Sequence, residues 1–261
     1  MSYKDWNPDL YLKFNKERIQ PTIDLVSRID LDEPGKIVDI GCGPGNSTQI
    51  LAQRWPNAAI TGIDNSPAMI EKAKKDFPNQ SWKLLDAGKD ALDEQFDLVF
   101  SNAAIQWMPE HAQLFERFYG SLNKHGWLAV QLPLFWDMPL GKAIRHVAQN
   151  SRWSTAVAGV DELFTIHAYP YYYDLLSQRF SSIDMWETCY IHIMDSHASI
   201  LEMIRTTGLK PYLDKLEDEN DRKEFEALVL DEITKDYPLQ ANGRVLFPFD
   251  RLFFTAQKAG A

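Results

Sequence analysis

Three aspartates stand at the ends of successive apolar runs: Asp39 in KIVDI, Asp64 in AAITGID and Asp86 in SWKLLD. A turn with glycine at every second place, Gly41-Cys42-Gly43-Pro44-Gly45, follows the first. Glycine admits positive φ and lets backbone approach a ligand closely. A helix that starts after such a turn aims unpaired N–H groups at whatever is held there. Ionised carboxylates accept hydrogen bonds and so suit hydroxyls, amines and amides. Asp64 lies about 20 residues past the turn, the spacing of a carboxylate that holds ribose hydroxyls. Asp86 suits an adenine edge. Asp39 either orients the loop or meets a positively charged ligand group. The dinucleotide fingerprint asks for a third glycine one place later, where Asn46 stands, and it leaves the set of three carboxylates unexplained.

A second polar cluster follows the apolar run FDLVF. The segment SNAAIQWMPEH brings Asn102, Gln106, Trp107 and His111 close together. Strand ends of open α/β sheets are where ligands bind. Trp107 suits the wall of a pocket for a second reactant, and Gln106 suits either reactant. His111 reads as a surface or helix-capping residue. Near the N-terminus, Tyr11, Phe14 and Arg18 recur at helical spacing. One reading is a helix face packed on a sheet. The other is a lid in which Arg18 holds a ligand carboxylate and Tyr11 lines the reacting pocket, since an arginine on an apolar face calls for an anionic partner.

These residues need a scaffold, and the hydrophobic periodicity supplies one. From Lys36 to Pro133, KIVDI, AAITGID, SWKLLD, FDLVFSN and GWLAVQLP read as strands. NSTQILAQRW, SPAMIEKAKKDF and PEHAQLFERFYGSLN read as helices, the second capped by Ser66 with Pro67 at its first position. Strand and helix in alternation mean a parallel sheet covered on both faces by right-handed crossovers. Before Lys36, PDLYLKFNKERIQPTIDLVSRI reads as two helices broken near Pro21. After Pro133, residues from about 138 to 178 and from about 197 to 237 read as helical. SIDMWETCYIHIM and RVLFPFDRLFFTAQK read as strands, and YPYYY (Tyr169 to Tyr173) as a packed surface turn. The predicted organisation is one domain over residues 1–261. It has a helical lid at 1–35, a ligand-binding core at 36–133, and a helical cover with the last strands at 134–261.

Composition narrows the function. The 261 residues are 45% hydrophobic and 25% charged, ordinary for a soluble globular domain with a sizeable core. A net charge of −10 disfavours nucleic acid, which needs a basic face. It leaves room for a small anion, because a few arginines can dominate one pocket. No run approaches the ~20 apolar residues of a membrane span. The two cysteines, Cys42 and Cys189, match no metal or disulfide pattern, which fits a reducing cytoplasm.

Together, VDIGCGPGN, GID, LLDA and SNAAIQW resemble the S-adenosylmethionine-dependent methyltransferases of the Rossmann-like class. YLKFNKERIQP, the stretch from GCGPGNSTQ to NSPAMI, NAAIQWMPEH, LAVQLP and GRVLFPFDRLFF resemble the trans-aconitate 2-methyltransferase subfamily, over nearly the whole chain. The resemblance implies an α/β fold with a mostly parallel seven-stranded sheet, an antiparallel last strand, helices on both faces and a helical cover. It implies S-adenosylmethionine as cofactor, with Gly41, Gly43 and Gly45 near its amino-acid part. Asp64 would hold the ribose, Asn65 and Met69 would pack beside the adenine, and Asp86 and Ala87 would meet its edge. Asn102 would lie beside the methionine moiety, with Arg18 on the carboxylate and Asp39 at the loop.

The implied acceptor is a carboxylate of a small polycarboxylic acid, trans-aconitate or a close analogue, and the product a monomethyl ester. Arginine meets carboxylate bidentately. Among Arg205, Lys210, Arg244 and Arg251, Arg251 is therefore the leading acceptor ligand and Arg244 the next; Lys210 stands where the family carries arginine. Tyr11, Gln106 and Trp107 complete the acceptor pocket. A carboxylate is already ionised at neutral pH, so the reaction needs neither base nor metal. The rivals are a methyltransferase for an amine or phenol, a nicotinamide-dependent oxidoreductase, and a cofactor-binding protein without turnover.

Overall fold

A computed structural model describes residues 15–260, with side chains described from Arg18 onward. The helix α1 (Asn15–Ser27) leads into β1 (Lys36–Ile40), α2 (Asn46–Arg54), β2 (Ala59–Asp64), α3 (Pro67–Asp76) and β3 (Ser81–Leu84). Then come β4 (Phe96–Asn102), a 3₁₀ turn (Ile105–Trp107), α4 (His111–Gly120) and β5 (Leu122–Pro133). The second half holds α5 (Pro139–Ala148), α6 (Tyr169–Ser177), β6 (Phe180–Met194), α7 (His197–Arg205), α8 (Lys210–Lys215), α9 (Glu219–Asp236) and β7 (Val245–Lys258).

The strands form one seven-stranded sheet in the order β3-β2-β1-β4-β5-β7-β6. The strands β1 to β5 pair in parallel. The last strand, β7, is antiparallel to both neighbours and inserts between β5 and β6. Chain order runs outward from β1 to β3, then returns to the other flank of β1 at β4. That reversal opens a crevice at the C-terminal ends of β1 and β4, where ligands of such sheets bind.

Alternation along the strands sorts the core. Ile37, Leu98, Phe100, Ala129 and Phe253 pack with Leu25, Val26 and Ile29 of α1 and its connection, and with Leu51 of α2. Val38, Val99, Val130 and Phe254 point the other way, to Leu114, Phe115 and Phe118 of α4 and Tyr172 of α6. A third cluster joins Ile144 of α5, Ile200 and Ile204 of α7, and Phe225, Val229 and Ile233 of α9 to Phe247 of β7. This cluster is the helical cover. No helix among the described residues is long and apolar enough to cross a membrane.

Three expectations change. The helix α1 runs through Pro21 without a break, although proline removes one helical hydrogen bond. Burial of Leu25 and Val26 against the sheet offsets that loss. The YPYYY segment is the first part of α6, not a turn, because fully buried Tyr172 anchors one face of it to the sheet. The strand β3 stops at Leu84, so Asp86 stands in the loop beyond.

Candidate active site

A cavity of about 730 Å³ opens at the C-terminal ends of β1, β2 and β4 and reaches under the helical cover. Its size suits a drug-sized ligand with room for a second small molecule.

The glycine turn forms one wall. Gly41, Gly43 and Gly45 all have positive φ (68°, 55° and 97°), so the sequence pattern is a conformational requirement. Their surroundings differ. A Cβ on Gly41 would lie 2.2 Å from that of Ala104, where the loop after β4 crosses. A Cβ on Gly43 would meet nothing within 4 Å, because this glycine faces the cavity. Gly45 caps α2 and lies against Trp82 and Phe77, away from the cavity lining. Here the absent side chain admits two aromatic rings.

Asp64 closes the turn. One carboxylate oxygen accepts from the Gly43 N–H at 2.9 Å and the other from the Ser66 N–H at 2.9 Å. Ser66 in turn caps α3 by accepting from Met69 N–H at 3.2 Å. The carboxylate lines the cavity with exposed Asn65 and buried Met69 beside it. Asp86 accepts from the Gly88 N–H at 3.0 Å and from Lys89 Nζ at 2.8 Å. Arg117 of α4 donates to Gly88 O at 2.6 Å and so holds this loop, which carries buried Ala87 into the cavity wall.

Asp39 is fully buried behind the loop and does not line the cavity. Ser47 and Thr48 of α2 each donate a hydroxyl to its Oδ2 at 2.6 Å, so it anchors the loop to the helix start. Its Oδ1 is buried without a hydrogen-bond partner among the described residues. Burial pushes its pKa up to about 6, against the pull of the two hydroxyls.

The opposite wall comes from SNAAIQWMPEH and the cover. Asn102 and Gln106 each turn a buried oxygen without a partner among the described residues, and both line the cavity. Gln106 is fixed by donating to Ala103 O at 2.7 Å. Ala103 itself adopts positive φ, 53°, which is unusual away from glycine. Trp107 packs 4.5 Å from Phe164 and lines the same space. His111, expected at the surface, is instead buried between Ile105 O and the Tyr172 hydroxyl, because the start of α4 tucks under α6.

The arginines separate clearly. Arg251 is buried, lines the cavity and lies 4.5 Å over the Phe249 ring. Arg244 does not line the cavity; it pairs with Asp195 at the exposed end of the β6–β7 ladder. Arg244 stands just before β7, seven positions from Arg251, roughly 24 Å along an extended chain. The expectation for Arg244 is corrected accordingly. Arg205 pairs with Glu226 and Lys210 with Asp214, both outside the lining. Arg18 lines the cavity from α1 and donates to Met203 O at 3.0 Å and Thr206 Oγ1 at 3.4 Å, tying α1 to the end of α7. Tyr11 lies outside the described residues.

Residues 37–126 match a methyltransferase domain model. Over 254 residues the chain is 41% identical to trans-aconitate 2-methyltransferase of Escherichia coli O7:K1, covering 97% of this chain and 98% of that protein. The same figures hold for the enzyme so named from Shigella flexneri. The chain belongs to the trans-aconitate 2-methyltransferase family. Solved structures agree on the fold. The YcgJ protein of Bacillus subtilis aligns with a TM-score of 0.61 at 14% identity, over 93% of this chain and 100% of that one. Haemonchus contortus phosphoethanolamine N-methyltransferase 2, solved with S-adenosyl-L-methionine, aligns at 0.56 and 16% identity, over 92% of this chain and 52% of that one.

For a methyltransferase of this family the fit is specific. Gly43 leaves an open cradle, Asp64 offers a carboxylate at the cavity wall, and Asn102 and Gln106 hold acceptor oxygens with no partner among the described residues. The sequence reading missed the apolar lining from the cover: Phe135, Phe164, Ile166, Met203 and Phe249. Nothing in their local pattern sets them apart from core residues. It also missed Gln131, whose signal was available: a polar residue inside the apolar strand LAVQLP.

Proposed function

We propose that this protein transfers a methyl group from S-adenosylmethionine to a carboxylate of trans-aconitate, giving the monomethyl ester. The observation that carries this reading is that buried Arg251 and the Gly43–Asp64–Asn102 cradle line one cavity. S-adenosylmethionine, when bound, supplies a methyl group made electrophilic by its sulfonium.

The chain's own residues supply position. Gly43 gives backbone close approach, and Asp64, aimed by two N–H groups, is the carboxylate acceptor that ribose hydroxyls call for. Asp86, Ala87, Asn65 and Met69 would border the base. Asn102 and Arg18 would border the amino-acid part, with Asp39 holding the loop from behind. Arg251 offers a guanidinium to an acceptor carboxylate, with Trp107 and Gln106 shaping the space between. Phe135, Phe164 and Phe249 exclude water around it. Holding two reactants in attack geometry can contribute ~7–11 kcal/mol of a barrier. The acceptor carboxylate is ionised at neutral pH and needs no base. Cys42 and Cys189 are both free thiols, the second exposed, which suits a reducing cytoplasm.

The test is transfer of label from methyl-labelled S-adenosylmethionine into an alkali-labile, extractable ester with trans-aconitate as acceptor. Label on an amine or phenol, with none on trans-aconitate, overturns the substrate reading.

A further inference from the structure

Gln131 has no solvent exposure, yet the strand around it is apolar. It pairs in register with Asn102 of β4 on one side and Phe253 of β7 on the other. Arg251, two residues before Phe253, points to the same face. That face is otherwise built from Phe100, Ala129 and Phe253 under α1. Asn102, Gln131 and Arg251 therefore form one polar row across three strands, at the end of the sheet where the cavity opens.

The contacts in this row have a direction. Arg251 Nη1 donates to Gln131 Oε1 at 3.4 Å. Turning the amide over would set two donors against each other, so the oxygen must face the guanidinium and Nε2 must face away. That Nε2 is buried with no hydrogen-bond partner among the described residues, and so is Oδ1 of neighbouring Asn102. Native proteins leave few such groups unsatisfied. The guanidinium is held further by the Phe249 ring at 4.5 Å and the Tyr190 ring at 5.9 Å. Tyr190 in turn donates to Asp24 of α1 at 2.5 Å.

We infer that Gln131 is a positioning residue for the acceptor: it holds Arg251 from behind in the orientation that meets the acceptor carboxylate. An amide is the side chain this task needs. A carboxylate at the same place would take the guanidinium as its own partner and cancel its charge. An apolar side chain would leave Nη1 without this acceptor. The inference rests on the proposal that Arg251 receives a carboxylate of the acceptor.

The test uses Gln131→Glu and Gln131→Met in the full chain. Three readings are needed: trans-aconitate affinity by calorimetry with S-adenosylhomocysteine present, S-adenosylhomocysteine affinity alone, and the thermal midpoint. Gln131→Glu should keep or raise the midpoint through its charged bond to Arg251, yet weaken trans-aconitate binding at least tenfold. Gln131→Met should weaken it several-fold. Both should leave S-adenosylhomocysteine affinity within twofold, and in turnover the loss should fall on the acceptor KM rather than on kcat. Trans-aconitate affinity unchanged in a folded variant, or lost in step with cofactor affinity, overturns the inference while the proposed reaction stands. A wild-type protein that binds no trans-aconitate overturns both.

Discussion

Removing His111 as a titrating group should change how stability depends on pH. Its Nε2 lies 2.9 Å from Ile105 O and its Nδ1 3.0 Å from the Tyr172 hydroxyl. A carbonyl oxygen only accepts, so Nε2 carries the proton and Nδ1 accepts from Tyr172. The neutral ring is fully used, and burial depresses its pKa from 6.5 to about 4. On acidification the unfolded chain takes the proton first. The native state therefore loses stability from about pH 6.5 down to about pH 4, roughly 2 kcal/mol of it between about pH 7 and pH 5. Asp39 acts oppositely. Its pKa is raised from 3.8 to about 6, so the native state takes the proton first and gains stability as pH falls through that window. Its gain over the same interval is roughly 1.5 kcal/mol. The two nearly offset each other. His111→Gln keeps an amide donor and acceptor but cannot titrate. Relative to wild type, its urea-unfolding free energy should rise by about 2 kcal/mol between about pH 7 and pH 5. Asp39→Asn should fall by roughly 1.5 kcal/mol over the same interval. A variant-minus-wild-type difference that stays flat across this range for His111→Gln would show that the native ring protonates freely, and the burial argument would fail.

Four further substitutions probe the cavity. Gly43→Ala places a methyl in open space, so left-handed strain of ~1–2 kcal/mol should lower the thermal midpoint by only about 2–8 °C. The same methyl should cut S-adenosylhomocysteine affinity at least ~tenfold in calorimetry. Gly41→Ala should instead damage the fold itself, because its Cβ falls 2.2 Å from that of Ala104; a larger drop in thermal midpoint than for Gly43→Ala is the check. Asp64→Asn sets an amide donor against one of two backbone donors and removes a charged acceptor, at about 1.5–3 kcal/mol. Cofactor affinity should drop roughly 10- to 100-fold, and an unchanged affinity would move the ribose contact elsewhere. Trp107→Ala should raise the acceptor KM while leaving cofactor affinity nearly intact, and equal damage to both would mean that Trp107 lies on the cofactor side.

The glycine-turn wall of the cavity was legible because it is local. KIVDI, the glycine turn and Asp64 fall within one strand-helix-strand unit, and each signals through its own chemistry: β-branched residues, positive φ, a carboxylate at a strand end. Ser66 and Pro67 announced α3 the same way, and Ser66 Oγ does accept from Met69 N–H. The misread residues depend on partners distant in the chain. Gly45 looked like a ligand glycine, yet its role is set by Trp82, thirty-seven positions on. His111 looked exposed until Tyr172 covered it. Pro21 looked like a break until the sheet accepted α1 as it stands.

The opposite wall, which holds Arg251, shows the same logic at its limit. Arg244 and Arg251 stand just before and within the last strand and carry the same charge, and local pattern cannot rank them. What separates them is the register of β7 on β5, where Arg251 falls opposite Pro133 at the sheet's end while Arg244 runs on past it. The polar row of Asn102, Gln131 and Arg251 likewise exists only because three strands from residues 96 to 258 come into register. A cofactor shared by many enzymes can be held by one contiguous motif. The wall around Arg251 is assembled from the helical cover and the inserted last strand. Acceptor choice should therefore respond to changes in how β7 seats against β5, including substitutions such as those at Gln131 that leave the glycine turn untouched.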